Sequence, residues 1–251
     1  MTFADHFSEK SALYAAARPG YPAALFAAIA AAAPARERAW DCATGSGQAA
    51  IGLADHFAQV EATDASGQQV ANAIAHPKVR YSVQVSERTD FDPASFDAVT
   101  VAQALHWFDL DRFYDEVRRV LRPGGVIAAW AYDWSSVSRE VDFALERHLL
   151  VKIRPFWPEQ VSRMQSSFMQ MPFPFAPVAL PPAKVEMAWT LAQYIAYIET
   201  WSATRAYIAR HGRGALDEAQ AAMRRAWGDA DVRPVTMALH VRCGRVGAAE
   251  L

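Results

Sequence analysis

Cysteine is scarce, neither sign of charge is in excess, and no apolar run is long, and each scarcity removes a class of protein. The two cysteines, Cys42 and Cys243, stand far apart in apolar segments, so they read as reduced, packed thiols and not as a disulfide framework. Twenty-five basic residues against 27 acidic ones leave a net charge of −2. Without a positive field to gather a polyanion, nucleic acid is a poor partner, and a small-molecule substrate is expected. The longest apolar stretch, 21–34, is alanine-rich, proline-broken and too short to span a bilayer, while residues 1–10 carry acids and no basic leader. The expectation is a cytoplasmic protein with no membrane partner. The seven histidines are scattered without ligand spacing, and no H-E-x-x-H, Walker loop or G-x-S-x-G elbow occurs, so no metal is expected and nucleotide-triphosphate and serine-hydrolase chemistry lose their usual signatures.

What is present suits one large folded domain. A hydrophobic fraction of 52% over 251 residues supports a single core with room for an inserted cap. No internal repeat appears. Short apolar runs at 38–42, 59–63, 79–83, 96–101 and 125–131 read as buried strands, and segments 48–57, 66–75 and 108–121 between them carry apolar residues at helical spacing. Strand and helix in alternation argue a parallel sheet covered on both faces. Beyond it, 155–182 is crowded with proline and aromatics and reads as a packed connection, followed by a strand at 184–189, helices at 191–210 and 215–227, and a closing strand at 235–245. The division expected is a single domain over 1–251, with a ligand-binding core at 36–135 and helical cap insertions at 138–180 and 190–228.

The first strand ends in Asp41-Cys42-Ala43-Thr44-Gly45-Ser46-Gly47-Gln48 and passes into a helix. Glycines at such a turn let a ligand approach the main chain, with helix amides facing it. Alone the pattern is weak, since Gly45 and Gly47 also suit a plain tight connection. Asp64 closes the second strand 17 residues beyond Gly47, near the spacing at which an acid meets a ribose hydroxyl pair. Ala50 stands where a dinucleotide fold would place its third glycine, and no base in the loop awaits a pyrophosphate. An adenosyl ligand without phosphates fits better.

These residues resemble a known family, the class I S-adenosylmethionine-dependent methyltransferases. Asp41 to Gln48 is similar to their first motif, Ala62-Thr63-Asp64-Ala65-Ser66 to their ribose-binding acid, and Val117-Arg118-Arg119-Val120-Leu121-Arg122-Pro123-Gly124-Gly125 to a common helix-to-strand signature. Ser95-Phe96-Asp97-Ala98-Val99 followed by Ala102-Gln103-Ala104-Leu105-His106-Trp107-Phe108 resembles their fourth strand and loop. The likeness spans 36–132, and RPGYP with ALHWF is similar to the branch of trans-aconitate-type enzymes. Ala43 departs from the family, which has glycine there.

The resemblance implies an α/β, Rossmann-like sheet of seven strands, mostly parallel with the last antiparallel, helices on both faces and S-adenosyl-L-methionine as cofactor. It places Asp41, Ala43, Gly45, Ser46 and Gly47 around the cofactor, Asp64 and Ala65 at the ribose with Gln68 just beyond, Glu87 at the adenine, Gln103 and Ala104 at the methionine end, and Tyr14 and Arg18 as an N-terminal closure. His106 either orients or deprotonates the acceptor, or simply bonds a carbonyl; Trp107 either walls the chamber or starts the next helix. Trp130, Tyr132 and Trp134 face substrate or cap. Trp201 and the Phe173-Pro174-Phe175 stretch read chiefly as cap core. On a single helix Tyr194, Tyr197, Trp201 and Arg205 would share one face, offering Trp201 and Arg205 to a substrate. The acceptor expected is a small organic acid or aromatic metabolite methylated on oxygen, by a monomer or homodimer. A nicotinamide oxidoreductase is disfavoured by the missing third glycine, and a non-catalytic binder of the cofactor or its product is the remaining alternative.

Overall fold

The computed structural model describes residues 20–158 and 168–247. Five parallel strands form its centre: β1 (Arg38–Cys42), β2 (Gln59–Asp64), β3 (Val79–Val83), β4 (Phe96–Ala102) and β5 (Leu121–Tyr132). The sheet continues through β8 (Val232–Arg245), antiparallel to β5, giving the order β3-β2-β1-β4-β5-β8. Two further segments share the free side of β8. β7 (Ala183–Thr190) pairs with its first half and the two-residue β6 (Ala176–Pro177) with its end. The eighth strand is therefore a fragment of an interrupted edge, added to the seven expected.

The central strands are buried along nearly their whole length because helices cover both faces, which is why they read as unbroken apolar runs. On one face lie α1 (Ala23–Ala32) and α2 (Gln48–Ala54), with the short α3 (Gly67–Ala71) after β2; α4 (Leu110–Val120) covers the other. α1 sits so close to α2 that a side chain at Gly52 would overlap the Phe26 ring. Gly52→Val is therefore expected to destabilise the protein by about 1–3 kcal/mol, through overpacking. An unchanged denaturation midpoint would show that the two helices separate freely.

At the amino-terminal edge of the sheet the fully buried Asp97 accepts hydrogen bonds from the Glu37 and Arg38 amides at 2.9 and 3.0 Å and pairs with Arg122 at 2.8 Å. That edge is closed by structure, leaving the carboxyl ends for function.

The insertions leave from those carboxyl ends. After β5 comes α5 (Arg139–Leu145), continued by a wider turn over Glu146–Leu150. After β7 come α6 (Leu191–Glu199), α7 (Ser202–His211) and α8 (Gly214–Trp227), and α8 packs on α5. The single helix expected over 191–210 is broken. Trp201 adopts extended backbone, with φ −65° and ψ 135°, and Thr200 turns its hydroxyl back on the Tyr197 carbonyl at 2.6 Å. Tyr194, Tyr197, Trp201 and Arg205 therefore do not form one continuous helical stripe.

The connection after the cap is also placed differently from the expectation. Phe173-Pro174-Phe175 leaves the cap and packs on α4 and β8: Tyr114 donates to the Pro172 carbonyl at 2.7 Å, Arg118 to that of Pro174 at 3.3 Å, and the Arg242 guanidinium lies 4.5 Å from the centre of the Phe173 ring. A proline-broken strand cannot bond its own carbonyls in a ladder, so side chains from α4 and β8 supply the donors.

Candidate active site

The glycine loop 43–47 follows β1 at the carboxyl end of the sheet. Three of its residues have left-handed backbone: Ala43 at φ 53°, Gly45 at φ 56° and Gly47 at φ 87°. Gly47 opens α2, and a Cβ there would strike the Tyr81 side chain, whose hydroxyl is fixed to the Ile74 carbonyl at 2.7 Å. Around Gly45, by contrast, a Cβ would meet nothing within 4 Å, so the loop is open above that point. Ala43 holds a conformation that favours glycine, so the departure from the family costs strain as well as space.

Two acids organise the loop. Asp64, at the end of β2, accepts the Gly45 amide on one carboxylate oxygen and the Ser66 amide on the other, both at 2.9 Å. Asp41 is fully buried beneath the loop and accepts the hydroxyls of Thr44 at 2.6 Å and Thr100 at 2.8 Å. Burial pushes its pKa up to about 6 against the pull of those two hydroxyls. Thr100 was not legible as a partner, because it is on a different strand, 59 positions away.

The loops beside them are tied down as well. Ser46 and Ala65 are half-buried; Gln68 is exposed. The Glu87 carboxylate accepts the Asp109 amide at 3.1 Å, at the start of α4. Glu116 holds Thr89 through amide and hydroxyl while pairing with Arg119 at 2.7 Å, so the segment after β3 is clamped to α4 from two points.

After β4, Gln103 also has left-handed backbone, at φ 59°, and its amide donates to the Trp130 carbonyl at 2.9 Å. Its side-chain nitrogen is buried and has no hydrogen-bond partner among the described residues. Ala104 is buried and starts a tight turn whose His106 ring lies 4.9 Å from that of Trp107, tilted at 43° to it. Burial pushes the His106 pKa down to about 4, so the imidazole is neutral at pH 7. Trp107 is half-buried against the α4 face.

The remaining expected residues separate into core and rim. Trp130 is fully enclosed, edge-on to Tyr21 at 5.3 Å and Phe26 at 6.1 Å. Trp201 is buried in the cap, where it meets Trp134 at 5.5 Å and Trp157 at 6.0 Å. Tyr132 is half-buried at the end of β5, and Arg205 is half-buried on α7 with no ion pair among the described residues. Ser135 and Tyr194 join the loop after β5 to the cap at 2.9 Å. Tyr14 and Arg18 lie outside the described residues.

Comparison with known proteins meets this geometry at the same residues. The methyltransferase domain family matches residues 40–129, the span from β1 through most of β5. A solved structure from Anaeromyxobacter dehalogenans, described as a type II methyltransferase, is 43% identical, superposes with a TM-score of 0.86, and the alignment covers 92% of this chain and 98% of that one. The chain is a class I S-adenosylmethionine-dependent methyltransferase. A Dictyostelium discoideum protein described as a methyltransferase is 28% identical over 233 residues, 91% of this chain and 89% of its own. A methyltransferase structure from Bacillus halodurans, at 18% identity and a TM-score of 0.51, shares the fold. No helix of this methyltransferase, among the described residues, is long and apolar enough to cross a membrane.

Proposed function

We propose that this methyltransferase acts on a small carboxylate, methylating it on oxygen, with the cap helices 139–153 and 191–227 roofing the acceptor. S-adenosylmethionine, when bound, supplies a methyl group on a positively charged sulfur. The loop residues fit such a group: open space over Gly45, a carboxylate at Asp64 beside the amides of Gly45 and Ser66, and small neighbours at the half-buried Ser46 and Ala65 and the buried Gly47 and Ala104. In this reading Asp64 takes the ribose hydroxyls, Glu87 borders the adenine, and Asp41 and Gln103 stand at the methionine end.

The acceptor class rests on one observation above all. The imidazole of His106, in the turn after β4, lies against Trp107 and is held neutral by burial, with a pKa of about 4. So weak a base removes few protons from a phenol or an ammonium at pH 7. A carboxylate arrives already ionised and asks only for alignment and exclusion of water. Trp107 and Tyr132 then wall the chamber, Trp130 and Trp201 back it from the core, and Arg205 offers a guanidinium to an anionic substrate.

The test is a turnover panel of carboxylates, phenols and amines, with His106→Ala and Arg205→Ala beside the wild type. Turnover of carboxylates is expected, with KM raised about tenfold or more by the arginine change, the range for a charge-assisted hydrogen bond, and kcat nearly unmoved by the histidine change. A kcat collapse in His106→Ala with phenols as the accepted class would overturn the proposal.

A further inference from the structure

We propose that the outer edge of β7 pairs with β7 of a second copy of this chain, antiparallel about a twofold axis at Val185, so that two sheets join into one. The proposal stands apart from the cofactor and acceptor readings above.

The edge is long and its bonding groups are turned outward. Residues 183–190 pair with β8, and among the described residues no strand pairs with the other side of β7. Bonds on the far side of β8 show which groups that edge presents. Ser136 and Thr236 exchange both main-chain bonds at 2.9 Å, and the Asp133 amide donates to the Ala238 carbonyl at 2.9 Å. Thr236 and Ala238 therefore turn their main-chain groups away from β7. Glu186 and Lys184, which lie opposite them, form non-hydrogen-bonded pairs and turn their own amides and carbonyls to the outer edge. Pro234, opposite Ala188, keeps the same phase, since it has no N–H to give β7. Amides and carbonyls at 184, 186 and 188 thus offer a template for another strand.

Charge selects the occupant and the register. Lys184, Glu186 and Ala188 are exposed, Val185 between the two charges is buried, and Lys184 pairs with Glu186 at 2.8 Å within the strand. An antiparallel copy centred on Val185 sets Lys184 opposite Glu186 twice, and each such pair has outward main-chain groups on both strands. Centred on Glu186, the copy would oppose two carboxylates; centred on Met187, it would leave Lys184 facing Thr190. Pro182 falls opposite Ala188 and cannot donate, so the pairing ends there. A second copy satisfies both charges at once by symmetry.

The experiment is sedimentation equilibrium from about 1 μM to about 1 mM, with hydrogen exchange of the β7 amides at both ends of that range. The wild type is expected to dimerise, and the Lys184, Glu186 and Ala188 amides to gain protection as concentration rises. Glu186→Pro removes an outward N–H, so it should weaken association about a hundredfold while the β8 pairing stays intact. Glu186→Lys and Lys184→Glu each set like charges face to face and should weaken it about fivefold or more, whereas the double variant restores both pairs and the wild-type affinity. If the proline variant does not fold, the charge variants decide the matter. A wild type monomeric throughout, protection that is the same at every concentration, a dimer untouched by Glu186→Pro, or a double variant no tighter than the single ones would overturn the proposal.

Discussion

Asp64→Ala is expected to weaken S-adenosylmethionine binding by about 3 kcal/mol, more than a hundredfold, while lowering folding stability by only about 1–2 kcal/mol. The two effects differ because the carboxylate has two tasks. Its oxygens already hold the Gly45 and Ser66 amides, each at 2.9 Å, which sets the distance between the glycine loop and the turn after β2. On the proposed placement the same oxygens also receive the ribose hydroxyls. Alanine removes the ligand bonds, each charge-assisted and among the stronger kinds, and frees the loop that lines the cofactor. Of the amides left behind, that of the half-buried Gly45 regains water while that of the buried Ser66 loses its acceptor, so the folding cost is about that of one buried hydrogen bond. Asp64→Asn sharpens the comparison, because its NH2 group would face an amide donor where an oxygen had accepted one. It should bind nearly as poorly as the alanine variant. Titration that finds full affinity in either variant would remove Asp64 from the ribose.

The glycine loop and the acid beside it were legible because their signals are local. A buried strand, a glycine turn and an acid at the next strand's end lie within 30 residues of one another, and β1 and β3 have the limits that their apolar runs suggested. Helices after β2 and β1 were read too long: residues 72–77 and 55–58 carry polar and turn-forming residues that end α3 and α2 early, and the first of these segments is used to anchor Tyr81 and Ser46. The cap was harder. The apolar spacing through 191–210 suits one helix, and what breaks it is tertiary: Trp201 turns into a cluster with Trp134 and Trp157, which come from segments far away in sequence. In the same way Phe173 and Phe175 looked like cap core by composition, yet their partners are Tyr114 and Arg242, which no local pattern relates to them. The Thr100 hydroxyl on Asp41 and the Gln103 side-chain nitrogen, which has no partner among the described residues, belong to this class. They are facts of packing, and packing decides them only once the sheet order brings β1, β4 and β5 side by side.

Asp41 should make the stability of the ligand-free protein fall as pH rises from about 4 to about 7, and Asp41→Asn should remove that part of the slope. The carboxyl group titrates near its ordinary 3.8 in the unfolded chain and near 6 when folded, chiefly because burial penalises the ionised form. A folded-state pKa raised above the unfolded one means that the native protein binds the extra proton, so this stabilising contribution is complete below pH 4 and is lost as pH climbs through 6. The difference of roughly two units corresponds to about 3 kcal/mol. Asparagine is neutral at every pH and keeps one acceptor and gains one donor for the Thr44 and Thr100 hydroxyls, so any fixed cost of the exchange appears equally at pH 4 and at pH 8. What changes is the gap between variant and wild type, which should move by about 3 kcal/mol in the variant's favour across that interval, read from urea denaturation at several pH values. A gap that stays constant would show that Asp41 ionises in the folded protein as it does in water. The functional counterpart follows from the sign of the cofactor's charge. If the ionised carboxylate is kept beneath the glycine loop to face a cation, saturating S-adenosylmethionine should pull the Asp41 pKa back down and flatten the wild-type slope, while S-adenosylhomocysteine, which lacks the sulfonium, should flatten it less.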